Sequence, residues 1–492
     1  MPTQTPIERY VALDLGSNSF HLLLAEFRGQ RMVRLHTDRA MVRLAEGLDA
    51  HHHLDPAVSE RALAALNRFQ PVLQKLPADH IRVVGTNTLR AAAANADGFL
   101  EEAESILGVP VEIISGIEEA RLIYSGVMAA ADGPPRLRCI IDIGGGSTEL
   151  VRGSEAPQQL QSLEMGCVSY SRRFFADGLI SENTVNHFKR AQRAARAELQ
   201  ELQHIAAEAE VIGCSGSVKA VSRVLNGGEV ADILRQDINR LAEEVSQVEH
   251  IAELDLPYLD EERRPVFAAG LAILHAIFCE LDIQRMEVSP YAIREGIVHD
   301  LAGRLHGGDR RASTVDAVVQ RWQIDQNQVR RVNDTALKLL QQLRPDYPLE
   351  GRQRLRWAIQ LHEVGLALTH SSFRKLGAYM IKHADMAGFS NGEQEHLAHL
   401  VRNQRGTIKP PKEHYGFHPS PDLLLCLRLA CIIHRDRTER TLQGVNLADQ
   451  GDAYRLQITR DWLDNSPAVE ELLYQEEQHW QSQNRPLRLL AV

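Results

Sequence analysis

Apolar and polar positions alternate with two different periods along the N-terminal part of the chain. Two apolar runs joined by a short polar turn fill Tyr10–Phe27 and predict two strands. Further strands are predicted at Ile81–Val84 and Val111–Ile114. The intervening segments Ser59–Leu73 and Gly98–Leu107 have the apolar spacing of helices. This order predicts an α/β domain built on a mixed or parallel sheet.

The same alternation begins again further along the chain. The second set of predicted elements comprises strands at Arg138–Asp142, Glu149–Arg152 and Glu210–Gly213 and a helical stretch at Glu182–Ala207. From His306 onward helical periodicity predominates, with one small sheet expected near the C-terminus. Boundaries are predicted at the linker-like Gly303–Ser313 and at the ADGPP interruption in Ala131–Pro135. The predicted domains are 1–130 and 131–305, both α/β, and a helical domain with a small C-terminal subdomain over 306–492.

One short pattern occurs twice. The segment ALDLGSNSFHLL at Ala12–Leu23 aligns without a gap on IIDIGGGSTELV at Ile140–Val151. Both copies consist of two apolar residues, an aspartate, an apolar residue, a glycine, small residues and a second apolar run. A single copy fits a tight hairpin capped by an aspartate as well as it fits a binding loop. Two copies about one domain length apart predict two similar domains that face each other.

Each copy also predicts an anion-binding turn. Glycine and serine let main-chain N–H groups converge without obstruction by Cβ atoms, which suits phosphate. The residues predicted to bind phosphate in these two turns are Gly16, Ser17, Asn18, Ser19, Gly144, Gly145, Gly146 and Ser147. The aspartates that end the two strands, Asp14 and Asp142, are placed to hold a hydrated Mg²⁺, which prefers oxygen ligands.

Composition narrows the class of protein. A chain of 492 residues with 44% hydrophobic residues is expected to form several globular domains. The six cysteines contain no C-x-x-C pair, and neither a secretion signal nor a spanning apolar run is present, so reduced thiols and a cytoplasmic location are expected. A net charge of −10 argues against non-specific nucleic-acid binding. A polyanionic substrate would therefore need local clusters of Arg and Lys.

The two turns resemble the phosphate loops of the fold shared by actin, sugar kinases and heat-shock ATPases. DLGSNSFH and DIGGGSTEL together resemble one branch, the exopolyphosphatase and guanosine pentaphosphate phosphohydrolase family. Further matches follow in order: GTNTLR (Gly85–Arg90), ISGIEEARLIYSGV (Ile114–Val127), MGCVSYSRRFF (Met165–Phe175), GCSGSVKA (Gly213–Ala220) and AIREG (Ala292–Gly296). The family's usual Asp-Gly before the last motif is replaced here by Ser289-Pro290-Tyr291. The resemblance implies two actin-like (ribonuclease H-like) domains around a cleft, a Mg²⁺ cofactor and a homodimer.

The resemblance also implies roles for residues outside the two turns. It makes Glu119 the catalytic residue that orients and deprotonates the attacking water, although an acidic residue in a first helical turn is also common simply because it suits the helix dipole. Glu149 is the expected third carboxylate for the metal, with a solvated strand residue as the alternative. Arg90 is expected to contact phosphate, with a surface arginine as the alternative. A third loop, which nucleotide-using relatives place at adenosine, would shape the cleft floor through Ser215, Gly216 and Ser217.

The C-terminal region resembles the helical HD phosphohydrolase fold at His362-Glu363, but glutamate stands where that fold has aspartate. A working second metal site is therefore not expected, and the region is given a structural or substrate-guiding role. Candidates for guiding a long phosphate chain, each of which also fits a solvated surface, are the clusters Arg263-Arg264, Arg310-Arg311, Arg330-Arg331, Arg352/Arg354/Arg356 and Arg402/Arg405/Lys409/Lys412.

The predicted function is that of an exopolyphosphatase, a phosphoric-anhydride hydrolase that releases orthophosphate from the end of inorganic polyphosphate. The nearest alternative is conversion of guanosine pentaphosphate (pppGpp) to ppGpp, which uses the same chemistry. A more remote alternative is an ATP-binding, kinase-like protein of the same superfamily. An idle scaffold is disfavoured by the intact Glu119 and by both loops. The location expected is cytoplasmic, with peripheral attachment at the inner face of the membrane left open and no transmembrane segment.

Overall fold

The computed structural model describes residues 8–29, 31–49, 51–92, 95–129, 131, 134–182, 185–410 and 419–492. The chain divides into two compact units, Met1–Arg310 and Arg311–Val492. The finer division into three domains stays a prediction. Among the described residues, none of the helices has both the length and the apolar character needed to cross a bilayer.

The first sheet forms from the N-terminal third of the chain. Its strands are β1 Arg9–Leu15, β2 Ser19–Arg28, β3 Arg31–Met41, β4 Ile81–Gly85 and β5 Val111–Ile113. The strand order is β3-β2-β1-β4-β5, with β1 antiparallel to β2 and parallel to β4. The helices of this third are α1 Pro56–Leu73, α2 Asn87–Ala92, α3 Asp97–Leu107 and α4 Gly116–Met128. The sheet is mixed, as the sequence predicted.

The second sheet repeats this plan. The strands of this part are β6 Arg138–Ile143, β7 Thr148–Gly153, β8 Pro157–Leu163, β9 Ser181–Glu182, β10 Val185–Asn186, β11 Glu210–Gly213, β12 Ile233–Leu234 and β13 Arg285–Val288. Six of them form the sheet in the order β12-β13-β11-β6-β7-β8, and β9 pairs with β10 separately. The helices are α5 Cys167–Phe174, α6 His187–Leu199, α7 Gly216–Leu225, α8 Arg235–Ser246, α9 Arg264–Glu280 and α10 Ile293–Leu305.

The two sheets exchange helices. Helix α4, which follows the first sheet in sequence, packs against β6, β7 and β8 of the second. Helix α10, which follows the second sheet, packs against β1, β2 and β4 of the first. The two helices also contact each other closely, because a Cβ atom on Gly296 would lie 1.8 Å from the carbonyl oxygen of Leu122. One apolar cluster therefore joins both sheets through α4 and α10.

A buried ion network fixes α10 in this position. Arg82 of β4 is fully buried and donates to Asp300 of α10 at 2.7 Å and to Glu112 at 3.0 Å. Arg121 of α4 donates two hydrogen bonds to Glu118, at 2.7 and 2.8 Å, and a further one to Asp300. The two arginines hold the pKa of Asp300 well below its usual range despite its burial. Charged groups from β4, α4 and α10 thus neutralise one another inside the first unit.

The C-terminal unit is mostly helical, as predicted, and has a core of its own. Its elements are α11 Arg310–Arg321, α12 Gln326–Leu343, α13 Leu349–Leu361, α14 Phe373–His383, α15 Asn391–Asn403, α16 Pro421–Ile433, β14 Val445–Asp449, β15 Tyr454–Ile458, α17 Arg460–Asp464, α18 Pro467–Trp480 and β16 Leu487–Ala491. The strands β14, β15 and β16 form the one small sheet in the described part of this unit. Its likeness to an HD fold stays a prediction.

Candidate active site

The duplicated pattern folds into two hairpins with the same register. In β1–β2, Asp14 pairs with His21, and in β6–β7, Asp142 pairs with Glu149. These are the pairs that the gapless alignment of the two segments brings into equivalence. The sequence repeat is therefore also a repeat of the backbone, and each hairpin presents its aspartate at the end of its first strand.

The turns of the two hairpins meet. A Cβ atom built on Gly145 would lie 2.8 Å from the Cβ atom of Ser17 and 3.4 Å from the backbone nitrogen of Asn18. A distance under about 3 Å between such atoms is incompatible with close packing, so only glycine fits at this contact. The two loops therefore close on one space from opposite sides.

Helix α5 orients the second loop. The carbonyl oxygens of Gly144 and Gly145 accept hydrogen bonds of 2.9 and 2.8 Å from the amides of Cys167 and Val168 at the start of α5. In a planar trans peptide the N–H group points opposite to the carbonyl group. The amide hydrogens of Gly145 and Gly146 consequently point away from α5. Converging main-chain donors of this kind form an anion-binding concavity.

Both loops line a cleft with a cavity volume of about 290 Å³. The sequence-predicted site residues that line it are Asp14, Gly16, Ser17, Asn18, Ser19, Glu119, Asp142, Gly144, Gly145, Gly146, Ser147, Ser215 and Gly216. Three predicted residues, Arg90, Glu149 and Ser217, lie behind this lining. The roles proposed for all of these residues stay predictions, but most of their side chains and amides share one space.

Glu119 occupies the first turn of α4, a helix that Ser115 begins by accepting a hydrogen bond from the Glu118 amide at 3.1 Å. Its side chain is 12% exposed and faces the cleft. Arg90 lies 3.5 Å from the Glu119 carboxylate and also donates to the carbonyl oxygen of Ile114 at 2.8 Å. Burial raises the pKa of Glu119 to about 7, against the opposing effect of Arg90. Arg90 thus pairs with the Glu119 carboxylate in this structure and does not line the cleft.

Four carboxyl groups in and beside the cleft, including Glu119, have raised pKa values, and burial is the largest cause in each. Burial, with Glu119 and Asp142 nearby, raises the pKa of Asp14 to about 8. Burial also raises the pKa of Asp142 to about 6, even though the Cys214 thiol lies 3.4 Å from its carboxylate. Glu149 is 1% exposed, accepts a hydrogen bond of 2.8 Å from Ser162, and has a pKa well above its ordinary value, first because of burial and then because of Glu119.

These carboxylates fit a divalent cation. The Oδ1 atom of Asp14 is buried and has no hydrogen-bond partner. Carboxylate oxygens are suitable ligands for Mg²⁺, which commonly takes one or two of them and completes its shell with water and substrate phosphate. Among the described residues, no group of three or more His, Cys, Asp or Glu side chains meets the geometry of a metal site made by protein alone. The arrangement suits a cation shared with a phosphate substrate.

Five cations also line the cleft, of which the sequence analysis named only Arg263 as a candidate for contact with phosphate. Arg39, Lys219, Arg223, Arg263 and Arg294 line the cleft. Burial, followed by the charges of four of these groups, lowers the pKa of His21 well below its ordinary value. Ser19 lies 2.8 Å from the Nε2 atom of His21. The first hairpin therefore places a histidine with a lowered pKa, at the start of β2, beside a group of cations that suits a polyanion.

The unusual Ser289-Pro290-Tyr291 segment connects this cationic region to β3. The carbonyl oxygen of Pro290 accepts hydrogen bonds from Arg34 at 3.1 Å and from Lys219 at 3.2 Å. The Arg34 guanidinium lies 4.2 Å from the centre of the Tyr291 ring. Ser217, in the first turn of α7, does not line the cleft; its hydrogen bond to Cys167 opposes the rise that burial causes in the pKa of that thiol.

The basic clusters proposed to guide a phosphate chain are mostly engaged elsewhere. Arg330 and Arg331 both pair with Glu439, at 2.7 and 3.0 Å, and Arg354 pairs with Glu350. Arg263 is the member that lines the cleft, where it contacts Gly216. Lys412 lies outside the described residues. His362 is buried, and Glu363 pairs with Arg437 at 2.8 Å.

Comparison with known proteins identifies two matching family regions. Residues 23–305 match the Ppx/GppA phosphatase family, and residues 310–477 match Ppx/GppA phosphatase, domain III. A guanosine-5'-triphosphate,3'-diphosphate pyrophosphatase of Aeromonas hydrophila is 38% identical over 98% of this chain and 99% of its own.

Solved structures give the same fold. A PPX-GPPA enzyme of Aquifex aeolicus covers 60% of this chain and 99% of its own, with 22% identity and a TM-score of 0.52. An exopolyphosphatase of Cytophaga hutchinsonii covers 61% of this chain and 98% of its own, with 23% identity and a TM-score of 0.52. The predicted pair of actin-like domains is confirmed by these neighbours.

Proposed function

Because this chain belongs to the Ppx/GppA phosphatase family and is thus a hydrolase of phosphoric anhydrides, we propose that it removes the terminal 5′-phosphate of guanosine 5′-triphosphate 3′-diphosphate. The products are ppGpp and orthophosphate. The observation that carries this choice of substrate is the similarity, over nearly the whole chain, to a guanosine-5'-triphosphate,3'-diphosphate pyrophosphatase. It favours the alternative of the sequence analysis over polyphosphate, which stays a prediction.

Two kinds of group in the cleft support this reaction: hydrogen-bond donors and cations suited to phosphate, and a carboxylate suited to accept a proton from water. The amides of Gly145 and Gly146 donate to the terminal phosphate, and the cationic side chains Lys219, Arg263 and Arg294 offset the remaining charge of the substrate. Glu119 accepts a proton from a water molecule held against this phosphate. A pKa of about 7 suits a base that works near neutral pH.

The bond changes follow from these contacts. The water oxygen forms a bond to the terminal phosphorus, and the bond between that phosphorus and the bridging oxygen breaks. The electron pair of the broken bond stays on the oxygen of ppGpp, and the water proton goes to Glu119. When bound, a divalent cation would neutralise phosphate charge, with Asp14 and Asp142 as its proposed direct oxygen ligands and Glu149, the third carboxylate proposed to serve it, acting through the water shell of the cation. A homodimer, implied by the family resemblance, also stays a prediction.

The test is a comparison of three substrates under one set of conditions. Orthophosphate release is measured for pppGpp, for GTP and for long-chain inorganic polyphosphate at equal magnesium concentration. We expect kcat/KM for pppGpp to exceed the other two by about tenfold or more, which corresponds to about 1.4 kcal/mol of differential transition-state binding. A higher value for polyphosphate would return the function to exopolyphosphatase. A protein that binds ATP tightly and hydrolyses none of the three would belong to the kinase-like class.

A further inference from the structure

A second cavity, of about 310 Å³, lies within the C-terminal unit. Its charged lining comprises Glu363, Arg374, Arg405, Arg435 and Glu476. It also includes His362, so the cavity adjoins the segment that resembles an HD motif. Metal-binding sites present carboxylates and imidazoles to their ligand, whereas three of the five charged groups here are guanidinium groups. The chemistry of this cavity therefore differs from that of a metal site.

Both acidic groups of the cavity already have partners. Glu476 is 2% exposed and accepts hydrogen bonds from Arg428 at 2.6 Å and from the Trp480 indole at 2.7 Å. Glu363 accepts hydrogen bonds of 2.8 and 3.1 Å from Arg437. Each carboxylate forms its ion pair with an arginine outside the set of three, Glu476 with Arg428 and Glu363 with Arg437.

The three arginines form no ion pair with a carboxylate anywhere in the described part of the chain. Arg374 donates to the carbonyl oxygens of Arg402 and Arg405, where α15 has just ended, and the Arg405 guanidinium lies 4.7 Å from the Phe373 ring centre. Burial and the neighbouring charge of Arg405 lower the pKa of Arg374, and burial and Arg435 lower that of Arg405. Three guanidinium groups thus line one cavity, and no carboxylate of the described residues forms an ion pair with any of them.

A compact anion would relieve this repulsion. Guanidinium groups bind phosphate through paired N–H donors, and arginine is the side chain best suited to such contacts. We propose that this cavity is a second ligand site that binds the phosphate groups of a small phosphorylated molecule, with a diphosphate as its minimal ligand. Arg405 and Arg435 are the side chains that contact the ligand, and Arg374 also holds the end of α15.

The positions of the tryptophans allow this site to be observed without interference from the cleft. All four tryptophans, Trp322, Trp357, Trp462 and Trp480, lie in the C-terminal unit. Trp480 is bonded to Glu476, which lines the cavity. Intrinsic tryptophan fluorescence of the full chain therefore reports on the unit that contains the cavity.

The experiment titrates the full-length protein with methylenediphosphonate, a diphosphate analogue that is not hydrolysed, at constant ionic strength. We expect a saturable fluorescence change in the wild type and about tenfold weaker binding in Arg405→Gln and in Arg435→Gln. Arg460→Gln is the matched control, because Arg460 pairs with Glu470 at 3.0 Å on the same unit and does not line the cavity. It should bind as the wild type does.

Further arms identify the ligand and protect the test against misfolding. GDP that binds at least tenfold more tightly than methylenediphosphonate points to a nucleotide, and equal binding points to an inorganic diphosphate. Citrate that binds equally well would overturn the preference for phosphate.

Arg435 is exposed, so Arg435→Gln is expected to fold even if Arg405→Gln does not. Unchanged binding in Arg435→Gln, or no saturable change in the wild type, overturns the site. Hydrolysis of pppGpp is expected to be unchanged in Arg435→Gln, so this proposal and the proposed function can fail separately.

Discussion

The first and second hairpins differ at one equivalent position. His21 stands opposite Asp14 in the first hairpin, and Glu149 stands opposite Asp142 in the second. Burial, followed by the cationic groups around the cleft, lowers the pKa of His21, whereas burial, followed by the charges of Glu119 and Asp142, raises the pKa of Glu149. The duplicated backbone thus presents two equivalent turns to the cleft, and the position opposite each aspartate carries a histidine near cations in the first copy and a carboxyl group in the second.

The largest effect is expected from replacing Glu119, the α4 carboxylate that interacts electrostatically with one carboxyl group of each hairpin. Glu119 affects the pKa values of both Asp14 and Glu149. Because a positioned base contributes about 10²–10⁴ in rate, we expect Glu119→Gln to lower kcat by that factor, with little change in thermal stability. Orthophosphate release and thermal unfolding measure the two quantities.

The adjacent residue provides the control. Glu118 is 2% exposed and bonded to Arg121, so Glu118→Gln breaks a buried ion pair and is expected to cost about 3–5 kcal/mol of unfolding free energy. Two neighbouring glutamates should therefore separate into one that affects rate and one that affects stability. If Glu119→Gln kept most of its activity, the carboxylate common to both hairpins would not be the base.

The next largest effect is expected on the magnesium requirement, and it tests the contrast between Glu149 and the equivalent position His21. We expect Glu149→Gln to raise the magnesium concentration for half-maximal activity by about 10–100-fold, since changes around a metal ligand set typically cost that much. His21→Gln should change it by less than about threefold, because His21 is already neutral among cations. Activity measured across a magnesium titration checks both variants. Equal shifts of the magnesium requirement in the two variants would contradict the proposal that Glu149 serves the cation and His21 does not.

A smaller effect tests the contact between the two turns. Gly145→Ala places a Cβ atom 2.8 Å from the Ser17 Cβ atom and pushes the loops apart. Because positioning errors of this size weaken transition-state binding, we expect kcat/KM to fall about tenfold. The double variant with Ser17→Gly should recover part of the loss, with a coupling free energy of about 1 kcal/mol in a double-mutant cycle. Strict additivity would show that the turns do not touch in the active enzyme.

The smallest effect concerns the pH dependence set by Arg90. Its guanidinium favours the charged form of Glu119, so Arg90→Gln removes an interaction that lowers the pKa of this carboxyl group. Since the base works deprotonated, activity rises as pH passes through the pKa of about 7, and that rise should move to higher pH in the variant. A pH profile of kcat/KM measures it. A profile that keeps its midpoint would mean that Arg90 serves the phosphate instead.

The sequence predicted those strands whose apolar pattern is strong. The β4 and β5 strands lie within one residue of their predicted ends, and the repeat correctly predicted equivalent hairpins. It did not predict β3, RMVRLHTDRAM, because most of this edge strand is exposed and polar. Nor did it predict β8, PQQLQSL, which is half-buried for most of its length but too polar to show an apolar pattern. Pairing with a neighbouring strand, which is a tertiary interaction, decides the structure of such segments.

The site was predictable where its residues are close in sequence. Asp14 and Asp142 lie near the ends of predicted strands and Glu119 follows one, each within a recognisable motif. Among the cations of the cleft, Arg263 was proposed in advance within the Arg263-Arg264 cluster, whereas Arg39 and Arg294 were missed because they come from separate segments with no shared spacing. The GTNTLR motif identified Arg90 as a site residue. Its ion-pair partner Glu119 lies in a different motif, so the pairing could not be predicted from the sequence.

The exchange of α4 and α10 between the sheets affects how the chain is synthesised. The first sheet lacks its covering helix until translation has passed Leu305, long after its own strands have left the ribosome. Ribosomes add about 5–20 residues per second, so an apolar face remains open to water for many seconds. An intermediate with an uncovered sheet is a target for chaperones and a risk for aggregation. The N-terminal half is therefore expected to be insoluble when its gene is cut before α10.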